Sequence, residues 1–255
     1  MKSFWAGFRV QIRLMRAYPD ALIPFFTAPL FCVIFLMIFD RAGREDLTAY
    51  AAVAPLFIAL WWLSLFQSGW VVSHDRWSGT LEPLVAAPGS FAANVLGRVL
   101  APTMVGLISF GEVWLVARLI FGERIEIHHP AAFVLTTAVT LAAMAGTSVV
   151  MAALFVLTRS AATFSNSASY PFYVLGGILV PVSVLPDWLE PVSRIVFLSW
   201  SSDLMRDTLR AGDIDDLALR LGMILFLGAA GFLLGMILLA RILVRVRSNG
   251  ELSYT

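Results

Sequence analysis

The sequence predicts an all-α integral membrane protein with six transmembrane helices, an N-terminal amphipathic interfacial helix, and short re-entrant or extracellular helices before the last span. Hydrophobic residues make up 59% of the 255 residues and charged residues only 14%, whereas a soluble domain carries about 25% charged residues. The apolar residues occur in blocks of about 20, the length that crosses the hydrocarbon core of a bilayer as a helix. We therefore predict a single transmembrane domain over residues 1–255.

The segment 1–20 is too charged to span a membrane, but it has the periodicity of an amphipathic helix. Trp5, Phe8, Ile12 and Met15 recur at helical spacing and form an apolar face. The basic residues of the segment occupy another face: Lys2, Arg9, Arg13 and Arg16. Because a basic amphipathic helix lies in the membrane interface, we predict an interfacial helix here.

Apolar stretches and two longer polar or mixed segments make up the rest of the chain. The predicted spans are 21–39, 51–72, 99–121, 131–157, 165–185 and 217–243. Residues 73–97 form the first long hydrophilic stretch. Residues 186–216 mix tryptophans and other apolar residues with charges, which predicts short helices that dip partly into the outer leaflet.

Two patterns of small residues predict close packing between spans. Ala138, Ala142 and Gly146 follow one another at four-residue steps in the fourth span. Gly231 and Gly235 have the GxxxG spacing in the last span. Small residues at these spacings let two helix backbones approach closely, so we expect both faces to be buried among helices.

The placement of lysine and arginine predicts the orientation, because cytoplasmic loops are enriched in these residues. One side of the membrane receives most of them: Lys2, Arg9, Arg13, Arg16, Arg76, Arg98, Arg159, Arg241, Arg245 and Arg247. The other side has fewer arginines among a larger group of acids that includes Asp203, Asp207, Asp213, Asp215 and Asp216. We therefore expect both termini in the cytoplasm and segment 186–216 outside.

The sequence lacks the motifs that would give this chain a chemistry of its own. A Walker-type nucleotide site needs a lysine in GxxxxGK[ST], and Lys2 is the only lysine. HExxH and GxSxG are absent, and His74, His128 and His129 fall in predicted loops without a ligand spacing. Cys32 is the only cysteine, which excludes an internal disulfide. We predict no enzyme activity, no cofactor or metal in this chain, and no nucleic-acid binding.

The hydrophilic stretch 73–97 carries a recognisable motif. It contains Ser73-His74-Asp75-Arg76-Trp77-Ser78-Gly79-Thr80-Leu81-Glu82-Pro83-Leu84 and then Ala87-Pro88-Gly89-Ser90. This resembles the loop between spans two and three of ABC-2-type transport permeases, which typically shows an acidic residue, an arginine, Gly-Thr-Leu-Glu and then Pro-x-Ser. His74-Asp75 departs from the glutamate that many relatives have before the arginine. The resemblance covers most of the chain, including Leu-Pro-x-Trp-Leu at 185–189 and Arg206 near the end of the outer segment.

The resemblance implies the membrane subunit of a bacterial ABC exporter, similar to daunorubicin/multidrug or polysaccharide exporters, in the plasma (inner) membrane. A second permease, identical or paralogous, and two cytosolic ABC ATPase subunits that bind ATP and Mg are the implied partners. The implied cargo is an amphipathic or lipid-like compound, with a drug or antibiotic first and a polysaccharide or glycolipid second. An intramembrane lipid-modifying enzyme that uses Glu112 or His74, or a membrane scaffold, is the alternative from another class.

In the family the loop between spans two and three contacts the ATPase as a coupling helix. By resemblance this role falls to Asp75, Arg76, Gly79, Thr80 and Glu82. Glycine at position 79 permits a sharp bend, and Thr80 and Glu82 can cap or brace a short helix. The alternative is an ordinary solvated turn whose charges only keep the loop in the cytoplasm.

Polar residues inside the predicted spans are candidates for the translocation path. Glu112 lies near the middle of the third span, where an ionised carboxylate facing lipid costs several kcal/mol, so it should face protein or water. Spans two and five are polar near their cytoplasmic ends, and their candidate path residues are Gln67, Ser68, Ser165, Asn166, Ser169, Tyr170 and Tyr173. The alternative for all of these groups is a hydrogen bond that joins adjacent helices.

Overall fold

The computed structural model describes residues 2–18, 23–43, 48–80, 83–84, 89–122, 125–157 and 161–249, with the side chains of 48, 66–70, 72–73, 76–77, 155–157, 161–166 and 242–249 outside the description. These ranges contain helices, turns and no strand. The helices are α1 (Lys2–Ala17), α2 (Ile23–Arg41), α3 (Thr48–Trp77), α4 (Phe91–Val105), α5 (Ile108–Ile120), α6 (Pro130–Leu157), α7 (Ala161–Leu175), α8 (Glu190–Arg194), α9 (Phe197–Leu209) and α10 (Leu217–Asn249).

Within the described ranges, four helical segments are long and apolar enough to cross a membrane. They are Ile23–Arg41, Phe91–Ile120, Pro130–Leu154 and Leu217–Arg241. A shorter apolar helix covers Ala49–Leu65 in α3. The predicted all-α membrane class is confirmed, and the count of six spans stays a prediction.

The segment Phe91–Ile120 is one apolar stretch with a break at its middle. Beyond the end of α4, Leu107 N–H bonds to the carbonyl of Met104 and Ser109 N–H to that of Gly106, both at 3.1 Å. These are the tighter i to i−3 bonds that interrupt an α-helix. A Cβ at Gly106 would lie 2.7 Å from Leu60 of α3, so the break sits where the two helices approach closely.

The fifth predicted span has a different end in the structure. Its helix, α7, ends at Leu175 instead of near Leu185. Gly177 has a φ of +65°, which is a left-handed conformation that commonly ends helices. The predicted short helices of segment 186–216 are present as α8 and α9.

The last span packs against α6 through glycines. A Cβ on Gly231 would lie 2.9 Å from Thr147, and a Cβ on Gly235 would lie 2.6 Å from the backbone of Val150. A Cβ on Gly146 would overlap the carbonyl of Gly228 across the same interface. The close approach predicted for the GxxxG pattern is therefore confirmed.

The other small-residue pattern is only partly buried. Gly146 packs against α10, whereas Ala138 and Ala142 are exposed on the chain. The prediction of burial is wrong for these two alanines. The reason is that α10 covers only one side of α6, and four-residue steps alone do not say how far a neighbouring helix extends.

A buried cluster of three hydroxyl groups, which we call the hydroxyl cluster, joins α3, α4 and α6. Ser64 and Ser148 oxygens lie 2.5 Å apart, and Thr103 donates to Ser64 at 3.3 Å. All three side chains are buried. Hydrogen bonds of this kind hold helices together where water is absent.

The N-terminal helix forms as predicted, but its buried face is shifted. The face that packs on protein contains Gly7, Gln11 and Met15. Trp5, which was predicted on the same apolar face as Met15, is 50% exposed. The shift follows from Gly7, because the absence of a side chain lets α1 lie directly against the backbone of α4.

Candidate functional site

The helix α3 ends in a glycine cap at the start of the candidate coupling loop. Gly79 has a φ of +67°, and the N–H of Thr80 donates to the carbonyl of Asp75 at 2.9 Å. This is the Schellman arrangement, in which a left-handed residue is followed by a bond back to the last helical turn. The bend predicted at Gly79 is present, and its role in coupling stays a prediction.

Thr80 braces this cap from both sides. Its hydroxyl lies 2.9 Å from the hydroxyl of Ser78 and donates to the carbonyl and a carboxylate oxygen of Asp75, each at 3.4 Å. Its own carbonyl accepts from the N–H of Leu84 at 3.1 Å. The residue therefore connects the end of α3 to Leu84 of the loop.

Asp75 lies inside the protein and pairs with an arginine of α4. Its carboxylate accepts a hydrogen bond from Nη1 of Arg98. The side chain of Arg98 is only 3% exposed and that of Asp75 9%. Because this carboxylate is held by Arg98 and Thr80, any part that Asp75 plays in coupling passes through those two partners.

The N-terminal helix crosses α4 next to this ion pair. A Cβ on Gly7 would overlap the carbonyl of Asn94 and lie 3.2 Å from Cγ of Arg98. A Cβ on Gly97 would overlap the carbonyl of Phe4. The two backbones are thus in direct contact where α4 begins.

Several predicted site residues fall outside what the structure describes. Glu82 lies in a range without description, and the side chains of Arg76, Gln67, Ser68, Ser165 and Asn166 are likewise outside it. Their predicted roles stay predictions. Among the described parts of the chain, no group of three or more His, Cys, Asp or Glu side chains could hold a metal ion.

The described path candidates of α7 form one polar turn. Tyr170 is 70% exposed, and its ring meets that of Tyr173 edge to face with centroids 6.4 Å apart. Tyr173 is half-buried and hydrogen-bonded to Ser169. The ring of Phe172 lies 4.8 Å from that of Trp61, centroid to centroid, with the planes tilted by 39°, so α7 also contacts the middle of α3.

Glu112 on α5 is half-buried, and its Oε2 atom is buried without a hydrogen-bond partner in the described structure. Arg118 does not pair with it and instead lies over the ring of Trp114 at 5.4 Å. An acceptor that is buried and unpaired requires a donor from outside the described chain, such as water. Glu112 is predicted to face protein or water, and its unpaired oxygen is compatible with both a hydrogen bond between helices and a role at the translocation path.

At the opposite end of the molecule, side chains of α8 and α9 bind the end of α7. We call Ser193, Ser202 and Arg206 the outer clamp. Ser193 donates to the carbonyl of residue 175 at 2.5 Å and Ser202 to that of residue 176 at 2.6 Å. Nη2 of Arg206 donates to the next two carbonyls, at 2.6 and 3.0 Å. These bonds satisfy the carbonyl of the last residue of α7 and those of the three residues that follow it, and the cation lies near the negative end of the helix dipole.

Arg206 is 1% exposed and is surrounded by stabilising partners. Its guanidinium lies 4.0 Å from the ring centre of Tyr50, and Nη1 lies 3.6 Å from Asp203. Burial lowers the pKa of Arg206 to about 10, while Tyr50 and Asp203 oppose that shift. The guanidinium therefore stays charged at neutral pH.

Next to the outer clamp, the end of α9 and the segment that follows it bind the start of α10 and the residues before α6. Asp207 accepts from Arg220 of α10 at 2.6 Å. The side chains of His128 and His129, which precede α6, are hydrogen-bonded to carbonyls of segment 209–212 at 3.0 and 2.6 Å. These histidines have no ligand spacing in the sequence, and in the structure they bind carbonyls at and just beyond the end of α9.

Sequence reasoning missed Arg98 and the two serines of the outer clamp as candidate site residues. From the sequence alone, Arg98 is placed only among the basic residues of the predicted cytoplasmic side. In the structure it is an arginine in the second turn of an otherwise uncharged helix. That position is the signal that would have marked it, since a charge there needs a partner. Ser193 and Ser202 carry no such signal in the sequence.

A family model described as ABC-2 type transporter matches residues 2–209, from the first residue of α1 to the last residue of α9. No curated protein matches the chain. The matched part includes the capped loop, the polar turn of α7 and the outer clamp.

Proposed function

This chain belongs to the ABC-2 type transporter family, and from that membership we propose that it is the permease subunit of a bacterial ATP-driven exporter. A second permease, identical or paralogous, and two cytosolic ABC ATPase subunits complete the transporter, and ATP and Mg bind to the ATPases. The cargo is an amphipathic or lipid-like compound that leaves the cytoplasm. A drug or antibiotic is the first candidate, and a polysaccharide or glycolipid is the second. The protein lies in the inner membrane with both termini in the cytoplasm.

The capped loop at Gly79 is the observation that supports this proposal most. A loop that receives a push from a partner must transmit it without deforming. The Schellman bond, the Thr80 hydroxyl and the Asp75–Arg98 pair hold this loop at several points. A solvated turn that only keeps charge in the cytoplasm would need none of these contacts.

The polar turn of α7 supports a path at the surface that faces a second permease. Tyr170 points away from the rest of the chain, in a helix that otherwise packs on α3 and on the outer clamp. Tyrosine combines an apolar ring with a polar tip and suits amphipathic molecules. We place the cargo between α7 of one permease and the corresponding helix of its partner.

Copurification tests the proposal directly. The affinity-tagged chain, extracted in mild detergent from its own bacterium, should bring down an ATPase of separate sequence, and the chain alone should not hydrolyse ATP. Hydrolysis by the chain alone, or action on lipids in the absence of any partner, would show that the exporter proposal is wrong.

Variants of the coupling loop test its contact with the ATPase. Glu82→Ala and Arg76→Ala should each lower the ATPase activity that amphipathic drugs stimulate in the complex, with membrane insertion intact. Arg118→Ala is a matched control, since its guanidinium lies over Trp114 on α5, far along the chain from the loop. Unchanged stimulation in both loop variants would contradict the assignment of this loop to coupling.

A further inference from the structure

We propose that Arg98 is a positioning residue for ATP coupling, which joins the coupling loop to α4 and α1 so that the three move as one body. The proposal rests on the proposed exporter function and adds to it the route by which a push on the loop reaches the spans. It is carried by a buried ion pair, a backbone crossing and the hydroxyl cluster.

The first step of the route is the Asp75–Arg98 pair. Asp75 accepts from the Thr80 N–H and hydroxyl as well as from Arg98. Displacement of the capped turn therefore acts on Asp75 without any intervening flexible group. A buried ion pair adds little stability over a well-packed apolar pair, but it fixes two elements in register.

The second step is the crossing of α1 over α4. Arg98 follows Gly97 in sequence, and the missing side chains at Gly7 and Gly97 place the two backbones in contact at Asn94 and Gly97, in the turn that leads to the arginine. Asn94 also donates from its side chain to the carbonyl of Ser3 at 3.4 Å. Because no side chain lies between the backbones, α4 has no room to shift without α1.

The third step leads from Arg98 towards the middle of the protein. Thr103 lies five residues further along α4 and donates to Ser64, which contacts Ser148 on α6. The hydroxyl cluster thus connects the far end of α4 to two other spans. A push on the loop reaches α3, α4 and α6 together.

The readout must report coupling without knowledge of the natural cargo. Cys32 is the only cysteine and is buried, so Cys32→Ala provides a background in which Tyr170→Cys introduces a single exposed thiol on α7. The rate at which a maleimide labels that thiol is measured in the purified complex with ATP and with ADP. A difference between the two rates reports that nucleotide reshapes the path.

Arg98→Met should abolish this difference while ATP hydrolysis by the complex persists, and Asp75→Asn should abolish it too. The double variant should be no worse than either single variant, and D75R/R98D should return the difference because it restores opposite charges. Arg98→Lys should retain it. Arg9→Met is the matched control, because Arg9 is exposed on α1 and should leave the difference unchanged.

Two outcomes would overturn the role of Arg98. Either Arg98→Met keeps the nucleotide-dependent difference, or it loses hydrolysis and ATPase binding in parallel, as a purely structural residue would. Should Arg98→Met not fold, Gly7→Ala and Arg98→Lys decide, since the first should lose the difference and the second should keep it. If the unmodified chain binds no ATPase, or the thiol labels equally with ATP and ADP, the exporter proposal itself fails.

Discussion

The two ends of the molecule each contain a buried arginine, and the arginines are held in different ways. Arg98, at the capped loop, is paired with one carboxylate. Arg206, in the outer clamp, contacts two carbonyls, the ring of Tyr50 and Asp203. A single side-chain partner links two elements that can move together, whereas several partners, two of them backbone, hold one arrangement. We therefore expect the end that contains the Asp75–Arg98 pair to transmit movement and the outer clamp to hold one arrangement.

The largest expected effect follows from the backbone partners of Arg206. Arg206→Met leaves the buried carbonyls of Gly177 and Ile178, just beyond α7, unpaired and removes the charge from the helix end, so the free energy of unfolding should fall by about 3–5 kcal/mol. Thermal unfolding in detergent measures this loss. Arg210→Met is the matched control, because Arg210 is exposed and 5.6 Å from the same Tyr50 ring, and should cost roughly 0.5 kcal/mol or less. Equal losses in the two variants would remove the distinction between the ends.

The inner pair should behave differently when both partners are replaced. Arg98→Met alone should lower the free energy of unfolding by about 3 kcal/mol, since it leaves the carboxylate of Asp75 buried without its cation. Adding Asp75→Leu should recover most of that loss, because a buried ion pair and an apolar pair are similarly stable. The same unfolding measurement checks this. A double variant as unstable as the single one would show that Arg98 acts through groups other than Asp75.

The crossing of α1 and α4 gives the next effect in size. Gly97→Ala places a Cβ against the carbonyl of Phe4, and we expect a loss of about 2 kcal/mol from overpacking. Gly222→Ala on α10 is the control, because no atom lies within 4 Å of a Cβ there, and it should stabilise by roughly 0.5–1 kcal/mol. Unfolding temperatures that shift in the same direction would contradict the backbone crossing.

The smallest expected effect separates the members of the outer clamp. Ser202→Ala removes one hydrogen bond to the end of α7, at 2.6 Å in the structure, and should cost about 1 kcal/mol. Ser183→Ala, at an exposed serine of the turn Val182–Val184, should change the unfolding temperature little. A loss for Ser202→Ala as large as that for Arg206→Met would mean that charge contributes nothing to the clamp.

The parts of the fold that sequence reasoning predicted are those that depend on local pattern. The spans, the amphipathic α1, the bend at Gly79 and the GxxxG contact all follow from residues close together in the chain. The end of α7 at Leu175 was missed because the apolar run continues beyond it and only the left-handed Gly177 stops the helix.

The candidate site was less predictable because it depends on contacts between distant segments. The Asp75–Arg98 pair joins residues 23 positions apart, and it exists only when α3 and α4 lie side by side. The serines of the outer clamp resemble any other serine until α9 meets the end of α7. Ala138 and Ala142 are the opposite case. Their spacing predicts a neighbouring helix against them, but in the structure α10 packs on Gly146 and leaves both alanines exposed.

The break at Gly106 limits how far a movement of the third span can extend. The helix α4 runs from Phe91 to Val105 and lacks the one helical bond that Pro102 cannot donate, and then the tighter turn at 106–109 separates α4 from α5. A helix that is interrupted at its middle bends at the interruption before its far half is displaced. We therefore expect a movement of the capped loop to tilt α4 while α5 stays in place beside α2.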